Sequence, residues 1–391
     1  MSRFFLIIID GLGIGAQEDA AKYGDEGANT LKGVSEVTGC KLPNFEELGL
    51  GNIEELPSIK SVAKPKASFG KMREVSAGKD STTGHWELAG IQLETPFPTY
   101  PEGFPKQIIE EFCRATGVQD VLCNKPYSGT DVIRDFGKEH LSSGRPIVYT
   151  SADSVFQVAA HVDVIDQETL YRWCEIARNE TMVDEHSVGR VIARPFHGKE
   201  GLFERLSDHR NDYAIPAPVP NLMSLLQDKG IKNYSIGKVA DLFAGEGFDQ
   251  YRKTKSNAEG ISQLLSLMTA NIDQSFVFAN LIDTDQLYGH RQDPAGFARA
   301  LEEIDRALPA IINKLNEGDI VVITGDHGND PTDNSTDHTR EFVPVIALKG
   351  KSKNSGNNLG VRSSFSDVSA TILDSFSVEN RLHGTSFLNQ I

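Results

Sequence analysis

The chain has 391 residues, with 39 Lys and Arg against 55 Asp and Glu, a formal net charge of −16. That balance repels nucleic-acid phosphates and anionic membrane surfaces, so neither is an expected partner, and an anionic substrate would need local cations from metals or a few arginines. The length predicts two domains, and Cys40, Cys113, Cys123 and Cys174 show no paired spacing, which argues against a disulfide framework or a zinc knot and for free thiols in a reducing compartment.

The first predicted element is a buried strand, the apolar run Phe4 to Ile9, which stops at Asp10 and a glycine. Six apolar residues are too few for a signal-peptide core, and no run approaches the roughly 20 that span a bilayer, so the expected location is the cytoplasm. Next comes SAGKDSTTGHWELAG, Ser76 to Gly90, with three hydroxyl residues in a row. It reads as a helix start capped by Asp80 or Ser81, and such a terminus also suits a phosphate.

From Pro96 the composition changes. TPFPTYPEGFP packs four prolines into eleven residues, and a second cluster, AIPAPVPN, spans Ala214 to Asn221. Proline-rich connections at both ends predict a core domain in two parts, residues 1–96 and 217–391, with a cap domain, 97–216, inserted between them. The cap should be α+β: PKQIIEEFCRATG and ETLYRWCEIARNE have helical periodicity, whereas RPIVYTSAD and VGRVIARPF are strand-like. After it, SFVFANLIDTD (Ser275 to Asp285) and DIVVITGDHGND (Asp319 to Asp330) repeat the grammar of an apolar strand ending in an acid. Between them Phe297, Leu301, Ile304, Leu308, Ile311, Ile312 and Leu315 recur at helical spacing. Strand, helix, strand predicts an α/β core with a parallel sheet covered on both faces, and ligands bind such sheets at the carboxyl ends of the strands.

Three histidines and several acids fall at or just beyond those ends: Asp10, Asp285, His290, Asp326, His327 and His338. Mixed imidazole and carboxylate ligands suit Mn²⁺ or Zn²⁺. Six candidates exceed one tetrahedral site, so two ions are the economical arrangement, and such pairs serve in-line phosphoryl transfer. A serine or threonine hydroxyl held between two ions becomes a competent nucleophile without a histidine base. The residues alone leave Ser81, Thr82 and Thr83 open for that role.

Taken together, DGLGIGAQEDAAKYGDEGANTL, GKDSTTGHWELAG, YTSADSVFQVA, GRVIARPF, SIGKVADLFAGEG, YGHRQD, GDHGNDPT and TDHTREFVPV resemble the phosphopentomutases of the alkaline phosphatase superfamily over nearly the full chain. The resemblance implies an alkaline-phosphatase-like core, with a mostly parallel sheet between helices, and an inserted cap. It also implies interconversion of ribose 1-phosphate and ribose 5-phosphate, and of the 2-deoxy sugars, through a phosphoenzyme and a bisphosphate intermediate. The implied cofactors are two Mn²⁺ ions, with glucose 1,6-bisphosphate or a similar sugar bisphosphate as activator. One ion would be held by Asp10, Asp326 and His327, the other by Asp285, His290 and His338. The family nucleophile, typically threonine, stands four residues before the histidine of GHWE. That position is Ser81 in this chain, with Thr82 the alternative. Asp153 resembles the residue contacting sugar hydroxyls, with Ser151 and Val155 beside it, and Arg190, Arg205 and Lys238 resemble phosphate contacts. Small-molecule sugar phosphates are the implied partners, with no protein partner evident. The rival readings are a metal-dependent phosphatase or phosphoglycerate mutase on the same core, and a catalytically silent metal-binding relative.

Overall fold

A computed structural model describes residues 3–151, 153–270, 272, 274–352 and 355–391. The chain folds into two compact units, residues 1–95 with 217–391, and residues 96–216. In chain order the strands are β1 (Arg3–Ile9) and β2 (Ser68–Met72) in the first unit, then β3 (Leu122–Pro126), β4 (Ile147–Thr150), β5 (Val155–His161), β6 (Arg190–Lys199), β7 (Leu202–Arg205) and β8 (Asn211–Ala214) in the second. The first unit resumes with β9 (Lys232–Ile236), β10 (Gln250–Arg252), β11 (Ser275–Leu281), β12 (Ile320–Thr324), β13 (Val343–Lys349) and β14 (Asn358–Arg362).

The first unit is built on an eight-stranded sheet ordered β10-β9-β11-β1-β12-β13-β2-β14. Five adjacent strands, β10 to β12 in that order, are parallel, and β13 alone runs against both of its neighbours. The chain passes from β12 to β13 through residues 325–342 with no helix, and only antiparallel neighbours can be joined without a crossover. The expected mostly parallel sheet is therefore present, with one reversal that a periodic pattern cannot announce.

All six apolar residues from Phe4 to Ile9 are buried, because β1 is central and covered on both sides. Full burial of such side chains contributes on the order of 1.5–3 kcal/mol each. Phe5, Ile7 and Ile9 join a cluster with Leu264 and with Leu301, Ile304 and Leu308 of the helix Pro294–Asn313. Phe4, Leu6 and Ile8 alternate to the opposite face. There Leu6 is paired in register with Phe278, which stacks on His85 of the helix Ser81–Leu88 and packs on Phe243.

The second unit has a mixed sheet, β3-β4-β5-β6-β7 with β8 also on β6. One face packs Phe156, Val158 and Val191 under the helices Lys106–Thr116 and Gln167–Ile176, through Ile108, Phe112, Leu170 and Cys174. The other packs Tyr149, Ala159 and Phe196 under Val132 and Ile133 of a third helix, Asp131–Ser143. Among the described residues no helix is long and apolar enough to cross a membrane.

Candidate metal centre

Three neighbouring parallel strands, β11, β1 and β12, release their chains at one edge of the sheet, and each does so into an acid. Asp10 follows β1 directly, Asp326 and His327 follow β12, and Asp285 lies in the helical turn after β11. The turns interlock: Asp10 N donates to Leu281 O (3.0 Å), Thr284 Oγ1 to Asp10 O (2.6 Å) and Gly11 N to Asp326 Oδ1 (3.1 Å).

The side chains converge in two overlapping groups, Asp10 with Asp326 and His327, and Asp285 with His327 and His338. The ligand atoms of each group lie within 4.8 Å of one another. His327 Nε2 is 3.2 Å from Asp326 Oδ2 and 3.6 Å from Asp10 Oδ1, and His338 Nε2 is 3.4 Å from Asp285 Oδ1. His290 stands at the rim, 38% exposed, with Nε2 3.4 Å from Asp285 Oδ2. Its Nδ1 donates to Thr336 O (2.7 Å), which leaves Nε2 as the ligand nitrogen.

The charge balance of this cluster calls for cations. Burial, and then the Asp326 carboxylate, push the pKa of Asp10 up to about 8. Burial opposes a charge on His327, yet Asp326 and the other acids outweigh it and push that imidazole up to about 10. Burial likewise raises Asp285 and Asp326, but facing imidazoles, His338 and His327 foremost, hold both well below the usual carboxylate range. Asp10 Oδ1, Asp326 Oδ2 and His338 Nε2 are buried without a hydrogen bond of normal geometry. An unsatisfied buried polar atom costs about 1–3 kcal/mol, more if charged. Carboxylate and imidazole acceptors left unsatisfied at one point fit divalent cations.

The hydroxyl triplet separates by local geometry. Asp80 caps the helix Ser81–Leu88, accepting from Thr82 N (2.9 Å) and Thr83 N (3.2 Å), and Thr83 Oγ1 donates to it at 2.6 Å. Thr82 is buried in the same first turn. Ser81 Oγ instead faces the ligand cluster, 3.1 Å from His327 Nε2, and accepts from Lys238 Nζ at 2.8 Å. Lys238 Nζ is also 2.6 Å from Asp10 Oδ2. The helix comes this close because residue 84 is glycine: a Cβ there would lie 2.0 Å from Asp326 O.

Several supporting residues carry no signal in the sequence reading. Asn280 Nδ2 donates to His85 Nε2 (3.1 Å), so the His85 proton sits on Nδ1, which donates to Ser81 O (2.9 Å) and lies 3.2 Å from Asp326 Oδ2. Asn329 Nδ2 donates to Asp285 Oδ1 at 2.7 Å. His85 and Asn329 stand inside quoted motifs, GHWE and GDHGND, and adjacency to the proposed ligands is the one clue that could have found them.

In the second unit the expected substrate residues form a charged chain. Arg190 Nη2 is 3.5 Å from Asp153 Oδ2, Arg190 Nη1 is 3.5 Å from Asp212 Oδ2, and Arg210 grips Asp212 through two contacts of 2.5 Å. Val155 is the register partner of Arg190, and Ser151 follows β4. Arg205 ends β7 apart from that chain. A Cβ placed on Gly129 would have Tyr149 Oη at 3.2 Å, Arg205 Nη1 at 3.5 Å and Arg194 Nη1 at 3.8 Å, so two guanidinium groups and a phenol converge there. Tyr149, Arg194 and Arg210 were not expected. Lys238, named with these arginines as a phosphate contact by resemblance, lies in the first unit, as its place in residues 217–391 predicts, against Ser81 and Asp10.

This fold and ligand cluster define a metal-dependent α/β enzyme, and residues 2–380 match the Metalloenzyme superfamily. A phosphopentomutase of Caldanaerobacter subterraneus subsp. tengcongensis is 50% identical over 391 residues, covering 100% of this chain and 98% of its own. One from Thermotoga maritima is 47% identical over 390 residues, covering 100% and 99%. A phosphoglycerate mutase of Leishmania mexicana shares the fold at a TM-score of 0.52 and 11% identity, covering 98% of this chain and 97% of that one. The chain belongs to the phosphopentomutase family, whose members are isomerases that move a phosphoryl group within a sugar phosphate.

Proposed function

We propose that the chain interconverts α-D-ribose 1-phosphate and D-ribose 5-phosphate, and the corresponding 2-deoxyribose phosphates, with Ser81 as the phosphoryl carrier. The observation that carries this reading is the placement of Ser81 Oγ, 3.1 Å from His327 Nε2 and 2.8 Å from Lys238 Nζ, at the mouth of a buried acid and imidazole cluster. Two Mn²⁺ ions would be held by Asp10, Asp326 and His327, and by Asp285, His290 and His338. When bound, they would neutralise phosphoryl oxygens and lower the pKa of the serine hydroxyl.

The cycle starts from phosphorylated Ser81, primed by a sugar bisphosphate such as glucose 1,6-bisphosphate. The free hydroxyl of ribose 5-phosphate or ribose 1-phosphate attacks that phosphorus, the bond to Ser81 Oγ breaks, and ribose 1,5-bisphosphate forms. Lys238 is in place to stabilise the released serine oxygen. That oxygen takes up the proton given by the attacking sugar hydroxyl. The bisphosphate then presents its other phosphate, Ser81 takes it back, and the serine proton passes to the sugar oxygen, which leaves as a hydroxyl. Asp80 already occupies the amides of Thr82 and Thr83, so the helix offers a phosphate its dipole rather than those two donors.

Residues 97–216 would act as a cap, inserted between core parts 1–96 and 217–391, that supplies specificity and keeps water from the phosphoenzyme. Asp153, with Ser151 and Val155, would contact sugar hydroxyls. Arg190 and Arg205 would hold the phosphate that is not being transferred, a task suited to bidentate guanidinium groups. The reading has the enzyme in the cytoplasm, acting on small sugar phosphates, with no obligate protein partner evident.

A coupled assay of ribose 1-phosphate conversion, run beside 3-phosphoglycerate and a generic phosphate monoester, tests it. Isomerisation of the pentose phosphate is the expected outcome; dominant phosphate release would make the protein a phosphatase. Mapping the phosphorylated residue should find phosphate on Ser81 in wild type and Thr82→Ala, and none on the Ser81→Ala variant.

A further inference from the structure

The segment Glu74 to Lys79 leads to Ser81, and its backbone is held by two buried side chains of opposite charge. Arg340, 2% exposed, donates through Nη1 to the carbonyls of Ser76 (2.8 Å) and Gly78 (2.7 Å), and through Nη2 to that of Glu74 (2.8 Å). Its Nη1 is also 2.9 Å from Glu74 Oε2, and its Nε and Nη2 each reach Asp19 at 3.2 Å. From the other side the Glu87 carboxylate accepts the amides of Val75 and Ser76 at 2.6–3.0 Å. Asp25 joins the parts, accepting Arg340 N (2.8 Å) and the Lys79 ammonium (3.0 Å).

This braced segment presses on the start of the Ser81 helix. Gly78 has φ +153°, and a Cβ on it would lie 2.7 Å from Thr83 Oγ1. Arg340 stands two residues beyond His338, so one short stretch of chain carries both an imidazole of the cluster and the brace on the approach to Ser81. A guanidinium presents five N–H donors in a fixed plane, which spans the carbonyls of three alternate residues and two carboxylates; an ammonium cannot.

We propose that Arg340 is a positioning residue for phosphoryl transfer: by holding the Glu74–Gly78 backbone it sets the distance between Ser81 Oγ and the ligand cluster. This rests on Ser81 being the nucleophile. Asp19 and Asp25 gain a role in the same brace, which accounts for part of the GAQEDAAKYGDEG stretch that no catalytic step uses.

The test measures kcat and KM for ribose 1-phosphate in Arg340→Met and Arg340→Lys, with metal content and Tm alongside. A displacement of about 1 Å costs about 100-fold in rate. Arg340→Met should therefore lower kcat about 100-fold with KM changed less than about 3-fold and metals retained. Arg340→Lys keeps the charge beside Glu74 without the planar fork, and should recover part of the rate, to about 10-fold below wild type. Phosphorylation of Ser81 by a sugar bisphosphate should slow in proportion. A lower Tm with unchanged kcat overturns the proposal, as does loss of metal as the sole effect. If Arg340→Met does not fold, Arg340→Lys decides, and a kcat within about 2-fold of wild type refutes the positioning role. Phosphate on Thr82 in the wild type would instead overturn the Ser81 assignment, and this proposal with it.

Discussion

The two charged clusters of this molecule are built on opposite terms. The one in the first unit is acidic and deep: Asp10, Asp326 and His327 are fully buried at the ends of parallel strands. The one in the second unit is basic and half open, with Arg190 and Asp153 30% and 41% exposed. A buried cluster of carboxylates is stable only with cations among them; Lys238 and His327 supply part of that charge, and the ligand set fits metal for the rest. Arginines near solvent stand ready for an anion at little cost, and Asp153 and Asp212 can balance Arg190 and Arg210 meanwhile. The first cluster is therefore expected to govern kcat and the second KM.

The sharpest way to break that division is Ser81→Ala. It removes the proposed carrier and leaves both clusters intact, so turnover should fall by on the order of 10⁴-fold or more while bound metal stays at the wild-type level. Metal analysis beside the coupled assay checks it; residual turnover above a hundredth of wild type would move the carrier role to Thr82. The corresponding change in the second unit, Arg190→Met, should act mainly on KM. Loss of a charge-assisted contact of about 1.5–3 kcal/mol predicts a KM increase of roughly 10- to 150-fold, with kcat changed far less.

Metal loading tests the acidic cluster by itself. Without metal, Asp10 titrates near pH 8 and His327 near pH 10, so both carry protons at pH 7 that a bound cation must displace. Loading at pH 7 should then release about one to two protons, read from calorimetric enthalpies in buffers of different ionisation heat, and affinity should fall as pH drops below about 10 and more steeply below about 8. The stability sign follows. The folded pKa of Asp10 is raised above 3.8 and that of His327 above 6.5, so both contribute stability at low pH that is lost as pH rises through their folded values. The gap in Tm between metal-loaded and metal-free protein should widen from pH 6 to pH 9. A gap that narrows would mean these two groups are not ligands.

How much of this was legible in the sequence follows the same division. Buried parallel strands write a continuous apolar run, and an acid at the end of such a run stands out, so β1, β11 and β12 and the acids after them could be found from pattern alone. The hydroxyl triplet could not be resolved that way, because capping and metal approach use the same residues; the family position pointed to Ser81, and the Asp80 cap explains why Thr83 is turned aside. Arg194 and Arg210 were invisible since a lone arginine on a strand or in a turn has no positional grammar, and Tyr149 reads as one more buried strand residue. Asn280 and Asn329 escaped because they act on other side chains, His85 and Asp285, rather than on an ion or substrate, and only tertiary structure pairs them. The reversal at β13 was silent for a related reason: alternation and burial do not record strand direction.

The smallest expected effect is Asp80→Ala. Asp80 takes two helix amides and the Thr83 hydroxyl, and losing such a cap costs about 1 kcal/mol. In a chain of this size that is a fall in Tm of only about 1–2 °C. The same change removes a negative charge next to the carrier and frees the amides of Thr82 and Thr83 for a phosphate. Those two consequences favour the phosphorylated form of Ser81, so phosphoenzyme hydrolysis should slow slightly even as the fold weakens. Asp80→Asn separates them, since asparagine also caps well but lacks the charge. If both variants lose stability equally and neither retards hydrolysis, Asp80 serves the helix alone and the acidic cluster ends at its ligands.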